Sequence, residues 1–375
     1  MPTERGSPIS LASCFPVFTT LRLFVFTALD ALRMFAGCRL LIGSPTPWVI
    51  SDRAKPPGKY DCMLLAHSLT LRVPRHRVGL LVLAPMFLMQ TAWGQDLEPR
   101  SYANTPVGMN FLLFGYFYSD GDVAIDPSLP VKDGNVTVHG EVIGYVRSLD
   151  MRGKSGKLSA ILPYACADGS AKLAGQPEQR DVCGPTDPRL RLSVNLYGAP
   201  ALTLEEFRNY RQDLILGATL QVTGPFGQYD SDKLLNIGTN RWSVKTELGA
   251  SQAIGRVTFE LAGAATFYTD NDNYFGGQKR EQDPVYSIQG HLIYSFSHGI
   301  WGAVDGTWFR GGRTTTDGVR DDDLQENTRI GATLALPIDR HNSVKLFAST
   351  GVATRSGGDF DTIGAAWQFR WGGAH

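Results

Sequence analysis

Ionisable side chains recur at alternate positions within runs that are otherwise apolar. Arg191 lies inside a leucine-rich run, and Arg241, Lys245 and Glu247 share one parity in a later run. Residues of one parity in a β-strand point to the same face of the sheet. A row of such charges can pair across strands and fill a narrow interior, or it can line a water-filled path for solutes. The sequence leaves both interpretations open.

The high cost of placing a charge against lipid indicates the side on which these residues lie. A lone Arg or Lys near the bilayer midplane costs roughly 2–4 kcal/mol on the lipid face of a barrel, so we expect the charged parity to face a lumen. The predicted pore-lining residues are His139, Glu141, Arg191, Arg241, Lys245, Glu247, Glu260, His291, Asp305, Arg329, Lys345 and Arg370. Phe114, Tyr116 and Tyr118 are predicted to share this interior, where they either stack with an aromatic solute or serve as packing.

The elements that carry these residues follow from the period-2 alternation of the sequence. Alternating segments with turn signals between them occur at approximately residues 108–118, 135–147, 157–165, 188–197, 213–223, 240–250, 256–268, 284–296, 300–310, 327–337, 343–353 and 361–371. Their lengths suit tilted strands that cross a membrane, and long and short connections alternate between them. This predicts an all-β fold: a single transmembrane antiparallel β-barrel of about 12 strands, with long extracellular loops and short periplasmic turns. A soluble β-sandwich is the alternative.

One connection on the short side is an exception. Residues 198–212 form a long connection where a tight turn is expected. Within it, Thr203 is followed three residues later by Glu206, which is the spacing of a helix capping box. We therefore predict a short periplasmic helix after Thr203.

The last predicted strand carries large aromatic residues on one face. In the segment Ile363–Trp371, the residues Trp367, Phe369 and Trp371 share one parity. Aromatic residues gather where the wall of a barrel meets the membrane interfaces. We expect the outer wall to contact outer-membrane lipid and this strand to be recognised by the barrel assembly machinery.

A basic run, an apolar run and a run of small residues precede the first predicted strand. They are Arg72–Arg77, Val78–Met89 and Gln90–Gln95. This order is typical of a secretory signal peptide, which we assign to residues 72–94. A buried apolar strand or helix is the alternative interpretation.

The position of this signal raises the question of where the protein begins. Signal peptides act from the N-terminus, and Met63 is a candidate start. We therefore interpret residues 1–71 as an extension from a misassigned start codon, the alternative being a targeting segment of unknown purpose. Residues 95–375 are predicted to form the outer-membrane barrel.

Only two cysteines follow the assigned cleavage site. Cys166 and Cys183 bracket a polar loop that contains glycine and proline. Two cysteines that close one loop in an exported chain favour a disulfide. A metal site is less favoured because no third or fourth ligand lies nearby in the sequence, and no cofactor is predicted.

Three segments carry a resemblance to a known family. They are Asp96–Phe111, Asp187–Leu202 and Phe267–Phe275. On these segments the chain resembles the putative meta-pathway of phenol degradation family of proteobacterial outer-membrane proteins, whose members are commonly labelled transporters. The resemblance covers nearly all of residues 96–371 and implies a location in the outer membrane of a Gram-negative bacterium. It also implies the uptake of aromatic or other hydrophobic small molecules, and it carries no catalytic residues.

Three functions are compatible with these patterns. The leading hypothesis is a channel or transporter-like barrel for passive or facilitated uptake of small solutes, aromatic or hydrophobic ones among them. A structural or surface-interaction barrel that acts through its loops is the alternative. An outer-membrane hydrolase is less favoured, because the sequence offers no convincing arrangement of nucleophile, histidine and acid. We therefore predict that the chain is not an enzyme and that it binds no nucleic acid.

Overall fold

The structure is a computed structural model that describes residues 98–124, 131–173, 176–233 and 235–373. The predicted extension at residues 1–71 and the predicted signal peptide at residues 72–94 lie outside the described residues. Within the described ranges, no helix has both the length and the apolar character needed to cross a membrane.

The described part of the chain is built almost entirely of β-strands. In chain order they are β1 (Met109–Ala124), β2 (Val131–Asp150), β3 (Ser155–Leu173), β4 (Gln176–Pro185), β5 (Arg189–Tyr197), β6 (Leu214–Thr223), β7 (Ser243–Ile254), β8 (Val257–Tyr268), β9 (Asn271–Tyr274), β10 (Gln278–Gln282), β11 (Val285–Ser295), β12 (Trp301–Gly311), β13 (Thr314–Thr316), β14 (Val319–Arg320), β15 (Gln325–Pro337), β16 (Asn342–Thr354) and β17 (Gly357–Gly372). A short α-helix, α1 (Leu204–Phe207), lies between β5 and β6.

Twelve of these strands close into an antiparallel barrel, as the alternation predicts. β1 pairs with β2 on one side and with β17 on the other, so that the last strand joins the first. In this closing pair Tyr118 lies opposite Ile363, and Met109 lies opposite Gly372. Closure matters because a lipid bilayer offers no water to satisfy the backbone groups of a free edge.

The remaining five strands, β4, β9, β10, β13 and β14, lie outside this wall. β4 pairs with the distal part of β3, and the predicted disulfide joins Cys166 to the directly opposed Cys183. Most of the segment predicted as a polar loop between the cysteines is therefore strand. The other four strands form a small sheet, the extracellular sheet, from the β8–β11 and β12–β15 connections. In outer-membrane barrels the end with long connections faces the cell exterior.

The opposite end of the barrel has short turns and one helix. The helix α1 begins after Thr203, whose side-chain oxygen accepts a hydrogen bond from the Glu206 N–H at 3.3 Å. In return, the Glu206 carboxylate accepts a hydrogen bond from the Thr203 N–H at 2.8 Å. The predicted capping box and helix are both confirmed.

Alternate residues of each wall strand face the lumen and the membrane. On β7, the side chain of Glu247 is 2% exposed, while that of the following Leu248 is 67% exposed. On β8, Glu260 is buried and the adjacent Leu261 is exposed. The leucines therefore form the lipid-facing surface, and the carboxylates point into the barrel, which positions the site described next.

Candidate functional site: the barrel lumen

The charged wall of the lumen is built on β5, β7, β8, β11 and β12. Three carboxylates on this wall, those of Glu247, Glu260 and Asp305, are buried. A buried carboxylate is costly unless it is paired and hydrogen-bonded. Each of the three accepts at least one hydrogen bond from a neighbouring group.

Glu247 lies at the centre of a polar network. Its carboxylate is 3.1 Å from the Lys245 Nζ and 3.5 Å from the Arg191 Nη2. The side-chain amide of Gln289 also donates a hydrogen bond to it at 3.1 Å. Residues of three strands, β5, β7 and β11, therefore hold one negative charge in a fixed position on the luminal surface.

His291 and Asp305 form a second part of the charged wall. The His291 Nδ1 lies 2.6 Å from an Asp305 carboxylate oxygen, and Thr333 donates a hydrogen bond to the other oxygen at 3.2 Å. His291 also lies directly opposite Glu260 on the neighbouring strand. The sequence places all three of these ionisable residues in the interior, and so does the structure.

The chain ahead of β1 lies inside the lumen against the charged wall. We call residues 98–107 the N-terminal segment. Glu98 forms an ion pair with Arg191, and the Arg100 N–H donates a hydrogen bond to Glu260 at 2.7 Å. On the other side, the Lys157 Nζ donates to the Ser101 carbonyl oxygen at 3.0 Å. Part of the luminal charge therefore holds this segment rather than lining an open path.

Tyr102 is the aromatic residue of the N-terminal segment, and only 2% of its surface is exposed. Its hydroxyl donates a hydrogen bond to Glu247 at 2.8 Å and accepts one from Thr219 at 3.3 Å. A Cβ atom added to Gly217 or Gly249 would lie 2.2 or 2.1 Å from a ring carbon. Burial, followed by the Glu247 charge, raises the pKa of the Tyr102 phenol, so the hydroxyl remains a donor at neutral pH.

A second part of the barrel interior, formed by β2, the distal part of β3 and the adjoining β4, is apolar. Buried residues of this part pack with two residues of the β6–β7 connection, Leu235 and Ile237. The cluster comprises Val136, Val138, Ala165, Ala167, Val182, Leu235 and Ile237. Phe117 and Phe360 pack against the same cluster. The lumen therefore has an apolar side and a charged side.

The prediction that His139 and Glu141 line the pore is wrong. His139 pairs with Tyr118, and Glu141 pairs with Tyr116, on the exposed outer face of β1 and β2. The Tyr116 hydroxyl and the His139 Nδ1 are hydrogen-bonded at 2.8 Å. The physical reason is that Val136, Val138 and Gly140 occupy the luminal parity of β2, where they pack on the apolar cluster.

The same register shows that the predicted interior position of three β1 aromatic residues is also wrong. Phe114 stacks on Trp367 with ring centroids 5.7 Å apart, on the outer face of the closing strand pair. Tyr116 and Tyr118 share that parity and are likewise exposed. Phe117 has the opposite, luminal parity and packs on the apolar cluster.

The other predicted lining residues occupy different levels of the barrel. Arg329 donates hydrogen bonds to Ser349 at 3.1 Å and to the Phe360 carbonyl at 2.9 Å. Lys345 has the luminal parity of β16, opposite Ala335 and Ala366. The hydrogen bonds of Arg329 place it beside the apolar cluster, because Phe360 packs against that cluster.

Arg370 and Arg241 lie near opposite ends of the barrel. Arg370 is at the short-turn end, where its Nε donates to the Arg340 carbonyl at 2.7 Å. Arg241 precedes β7 at the extracellular end, with its guanidinium 4.4 Å from the centroid of the Tyr268 ring and a hydrogen bond to Gln282. The mouths of the barrel therefore carry arginines that also hold neighbouring segments in place.

The polar groups of the lumen are largely committed to one another. Among the described residues, no group of three or more His, Cys, Asp or Glu side chains is arranged to hold a metal. Lys245, Arg191 and Gln289 compete for the carboxylate of Glu247. What the lumen offers is charge, hydrogen bonds and apolar surface.

Three comparisons with solved structures concern the fold. The COG4313 outer membrane channel from Pseudomonas putida F1 is 23% identical, with a TM-score of 0.64 over 74% of this chain and 100% of that chain. The β domain of the Bordetella autotransporter BrkA is 10% identical, with a TM-score of 0.44 over 71% of this chain and 100% of that chain. The outer membrane protein OpdK from Pseudomonas aeruginosa is 10% identical, with a TM-score of 0.30 over 71% of this chain and 99% of that chain. No curated protein matches the sequence.

A family model provides the identification. The model described as Putative MetA-pathway of phenol degradation matches residues 118–369, which is well over half of the chain. Family and barrel fold together locate the protein in the outer membrane of a Gram-negative bacterium, with its outer wall in contact with lipid. The chain thus belongs to the family described as Putative MetA-pathway of phenol degradation.

Proposed function

We propose that this protein is an outer-membrane channel for passive or facilitated uptake of small solutes, aromatic and hydrophobic ones among them. The observation that carries the proposal is the two-sided lumen. Phe117 and Phe360, which are only partly buried where they pack against the apolar cluster, give one side an apolar surface, while Glu247 and its partners give the other side charge. A solute with an apolar ring and a polar substituent finds complementary surface on both sides.

The chemistry of such passage is binding and release without a change in the solute. Apolar contact with the apolar side of the lumen gains free energy at roughly 25 cal/mol per Å² of buried surface. Conduction also requires that binding be weak enough for the solute to leave.

A solved structure with the same fold supports this proposal. The Pseudomonas putida F1 protein is named an outer membrane channel. A solute that crosses the whole lumen of the present chain must pass the N-terminal segment, which contacts β3, β5, β7 and β8. The proposal therefore includes movement of that segment.

The aromatic outer face of the final strand suggests a partner in assembly. We expect the final strand to be the part that the barrel assembly machinery recognises, because its outer face stacks Trp367, Phe369 and Trp371 in series. Successive ring centroids are 6.1 and 5.5 Å apart. Substituting all three by alanine should reduce the amount of folded protein in the outer membrane, whereas alanine at the exposed Tyr286 should not.

The experiment that tests channel function is conductance in a planar bilayer, with liposome swelling as a second readout. Purified protein is compared with a variant in which Glu98 to Val107 is replaced by a flexible glycine–serine sequence of equal length. The proposal predicts solute passage that is low in the first and high in the second. If neither protein conducts ions nor admits small sugars, the channel proposal fails.

A second candidate function is surface interaction through the extracellular loops. One observation favours it: the extracellular sheet has its own internal bonds, including Arg280 to Asp323 at 3.4 Å and the Lys279 N–H to Asp317 at 2.9 Å. Removing β13 and β14 would abolish a surface function and leave conductance unchanged. A channel function predicts that changes in the lumen alter the function of the protein, and that removal of β13 and β14 does not.

A further inference from the structure

The side chain of Tyr102 is held by the barrel wall in the way a bound ligand is held. Its ring lies on Gly217 of β6 and Gly249 of β7, which are directly opposed partners in the sheet. Any side chain at either position would overlap the ring, because the Cβ atoms would lie 2.2 and 2.1 Å from ring carbons. The two glycines therefore form a flat recess of the thickness of one aromatic ring.

The recess is completed by groups that recognise a hydroxyl. Glu247 accepts the hydrogen bond of the Tyr102 phenol at 2.8 Å, and Thr219 donates one to its oxygen at 3.3 Å. Around the ring, Ile215 and Ala262 supply buried apolar contact. We call the recess formed by Gly217, Gly249, Thr219 and Glu247 the Tyr102 slot.

The parts of the slot belong to the rigid wall, and the ring that fills it does not. Thr219 and Gly217 lie on β6, and Glu247 and Gly249 lie on β7, which are paired through ten consecutive residues. Tyr102 lies in the N-terminal segment, outside every strand. Withdrawal of the segment would therefore leave a preorganised site, and preorganisation lowers the cost of binding a ligand in its place.

Glu247 is oriented for this role by groups other than Tyr102. Lys245 and Arg191 lie within 3.5 Å of its carboxylate, and Gln289 donates a hydrogen bond to it. These contacts hold the acceptor in position whether or not a phenol is present. A buried acceptor that loses its donor is costly, so a hydroxyl-bearing ring is favoured over a ring that lacks the hydroxyl.

We propose that the Tyr102 slot is a binding site for free hydroxyaromatic solutes of the size of phenol, and that such a solute competes with Tyr102 and releases the N-terminal segment from the lumen. The chemical class follows from the group already bound there, which is a para-substituted phenol. This inference rests on the proposed channel function, which it deepens by naming a substrate class and a means of opening. Because the site is self-occupied, its apparent affinity is reduced by the fraction of molecules in which Tyr102 fills it.

Isothermal titration calorimetry of phenol into the purified full-length barrel tests the site itself. Tyr102→Ala vacates the slot and should bind phenol at least about tenfold more tightly than the unchanged protein. In that variant, toluene should bind at least about tenfold more weakly than phenol, because it offers no hydrogen bond to Glu247. A matched control, Tyr286→Ala on the outer face, should keep the affinity of the unchanged protein.

A second substitution distinguishes the slot from other apolar surface. Adding Gly249→Val to Tyr102→Ala fills the recess and should abolish phenol binding, with folding checked by the heat-dependent shift in gel mobility. If this double variant does not fold, Thr219→Val in the Tyr102→Ala background is the replacement, and it should weaken phenol binding more than toluene binding. The inference is overturned if Tyr102→Ala does not bind phenol, or if it binds phenol and toluene equally.

Conductance separates this inference from the proposed function. Phenol should raise the conductance of the unchanged protein, and Tyr102→Ala should conduct without phenol. Conductance by Tyr102→Ala together with no phenol binding would refute the slot and leave the channel intact. Phenol binding by a protein that never conducts would refute the channel and the release step, while the site would stand as a binding site alone.

Discussion

Phe117 on β1 lies directly opposite Gly140 on β2, and its ring occupies the luminal space over the glycine. A Cβ atom at residue 140 would lie 2.0 Å from the tip of that ring. The pair shows how the apolar wall is made: a large side chain on one strand covers a strand that has none. This arrangement lets Phe117 reach the cluster of Val136 and Val138.

Gly140→Ala should therefore change the lumen without unfolding the barrel. The overlapping atoms are at the end of a side chain that can rotate, so we expect a stability loss of about 1–3 kcal/mol. The displaced ring should lower the flux of apolar solutes in liposome uptake. Gly144→Ala is the control, because a Cβ atom there would meet Leu113 at an ordinary 3.6 Å. Equal fluxes in the two variants would contradict this account of the wall.

The placement of Glu141 on the outer face predicts a difference between two carboxylates. Glu260→Gln removes a negative charge from the lumen and should shift the reversal potential in a salt gradient towards anion permeation. Glu141→Gln should leave the reversal potential unchanged, because that side chain lies on the exposed face of β2. A shift of equal size in both variants would place Glu141 in the lumen after all.

The contrast between these two residues shows where sequence reasoning succeeds. On β7 and β8 the charged parity is luminal, so the lipid-facing penalty for charge predicts the side of Glu247 and Glu260 correctly. On β2 the lumen is apolar, because Leu235 and Ile237 of a distant connection pack there. The polarity pattern along β2 alone cannot reveal that contact. The prediction therefore assigns Glu141 to the lumen, whereas it lies on the outer face. The strands themselves were predictable because their alternation is local.

The N-terminal segment was not predictable for a different reason. It has no strand or helix period, and its position depends on partners that are far away in sequence, such as Glu247 for Tyr102. The one local signal is the pair of luminal glycines at 217 and 249, which marks a close approach by another group. The identity of that group requires the three-dimensional arrangement.

The ion pair between Glu98 and Arg191 should contribute to the closed state of the channel. Glu98→Gln removes the pair while Arg191 keeps its contact with Glu247. Because the Glu98 side chain is 34% exposed, we expect a loss of at most about 1 kcal/mol, or roughly a fivefold rise in open probability. Single-channel recording measures this directly. Raising the salt concentration should reduce the difference between the two proteins by screening, and an unchanged open probability at low salt would refute a holding role for the pair.

The disulfide should stabilise the hairpin of β3 and β4 beyond the barrel wall and have little effect on the wall. Cys166 and Cys183 are separated by 17 residues, and the chain-entropy model gives about 3 kcal/mol for a loop of this size. The expected gain is smaller because the flanking residues already pair. In the double variant Cys166→Ser, Cys183→Ser, hydrogen exchange should speed up in the hairpin around Ala167 and Val182. Faster exchange in β11 and β12 would indicate a wider role.

The periplasmic turn between β15 and β16 should depend on pH. The Asp339 carboxylate accepts hydrogen bonds from the backbone N–H groups of His341 and Asn342 at 2.7 and 2.8 Å. These bonds, that of His341 first, together with the side-chain bond from Asn342, lower the pKa of Asp339 from its ordinary value of 3.8. Since the folded pKa is depressed, the stabilisation is fully present above the unfolded pKa and is lost as the pH falls through the folded pKa. The amide proton shift of His341, followed by nuclear magnetic resonance in micelles, should therefore titrate with a midpoint below 3.8. Asp339→Asn should remove that titration, and a midpoint above the ordinary value would show that the carboxylate does not hold the turn.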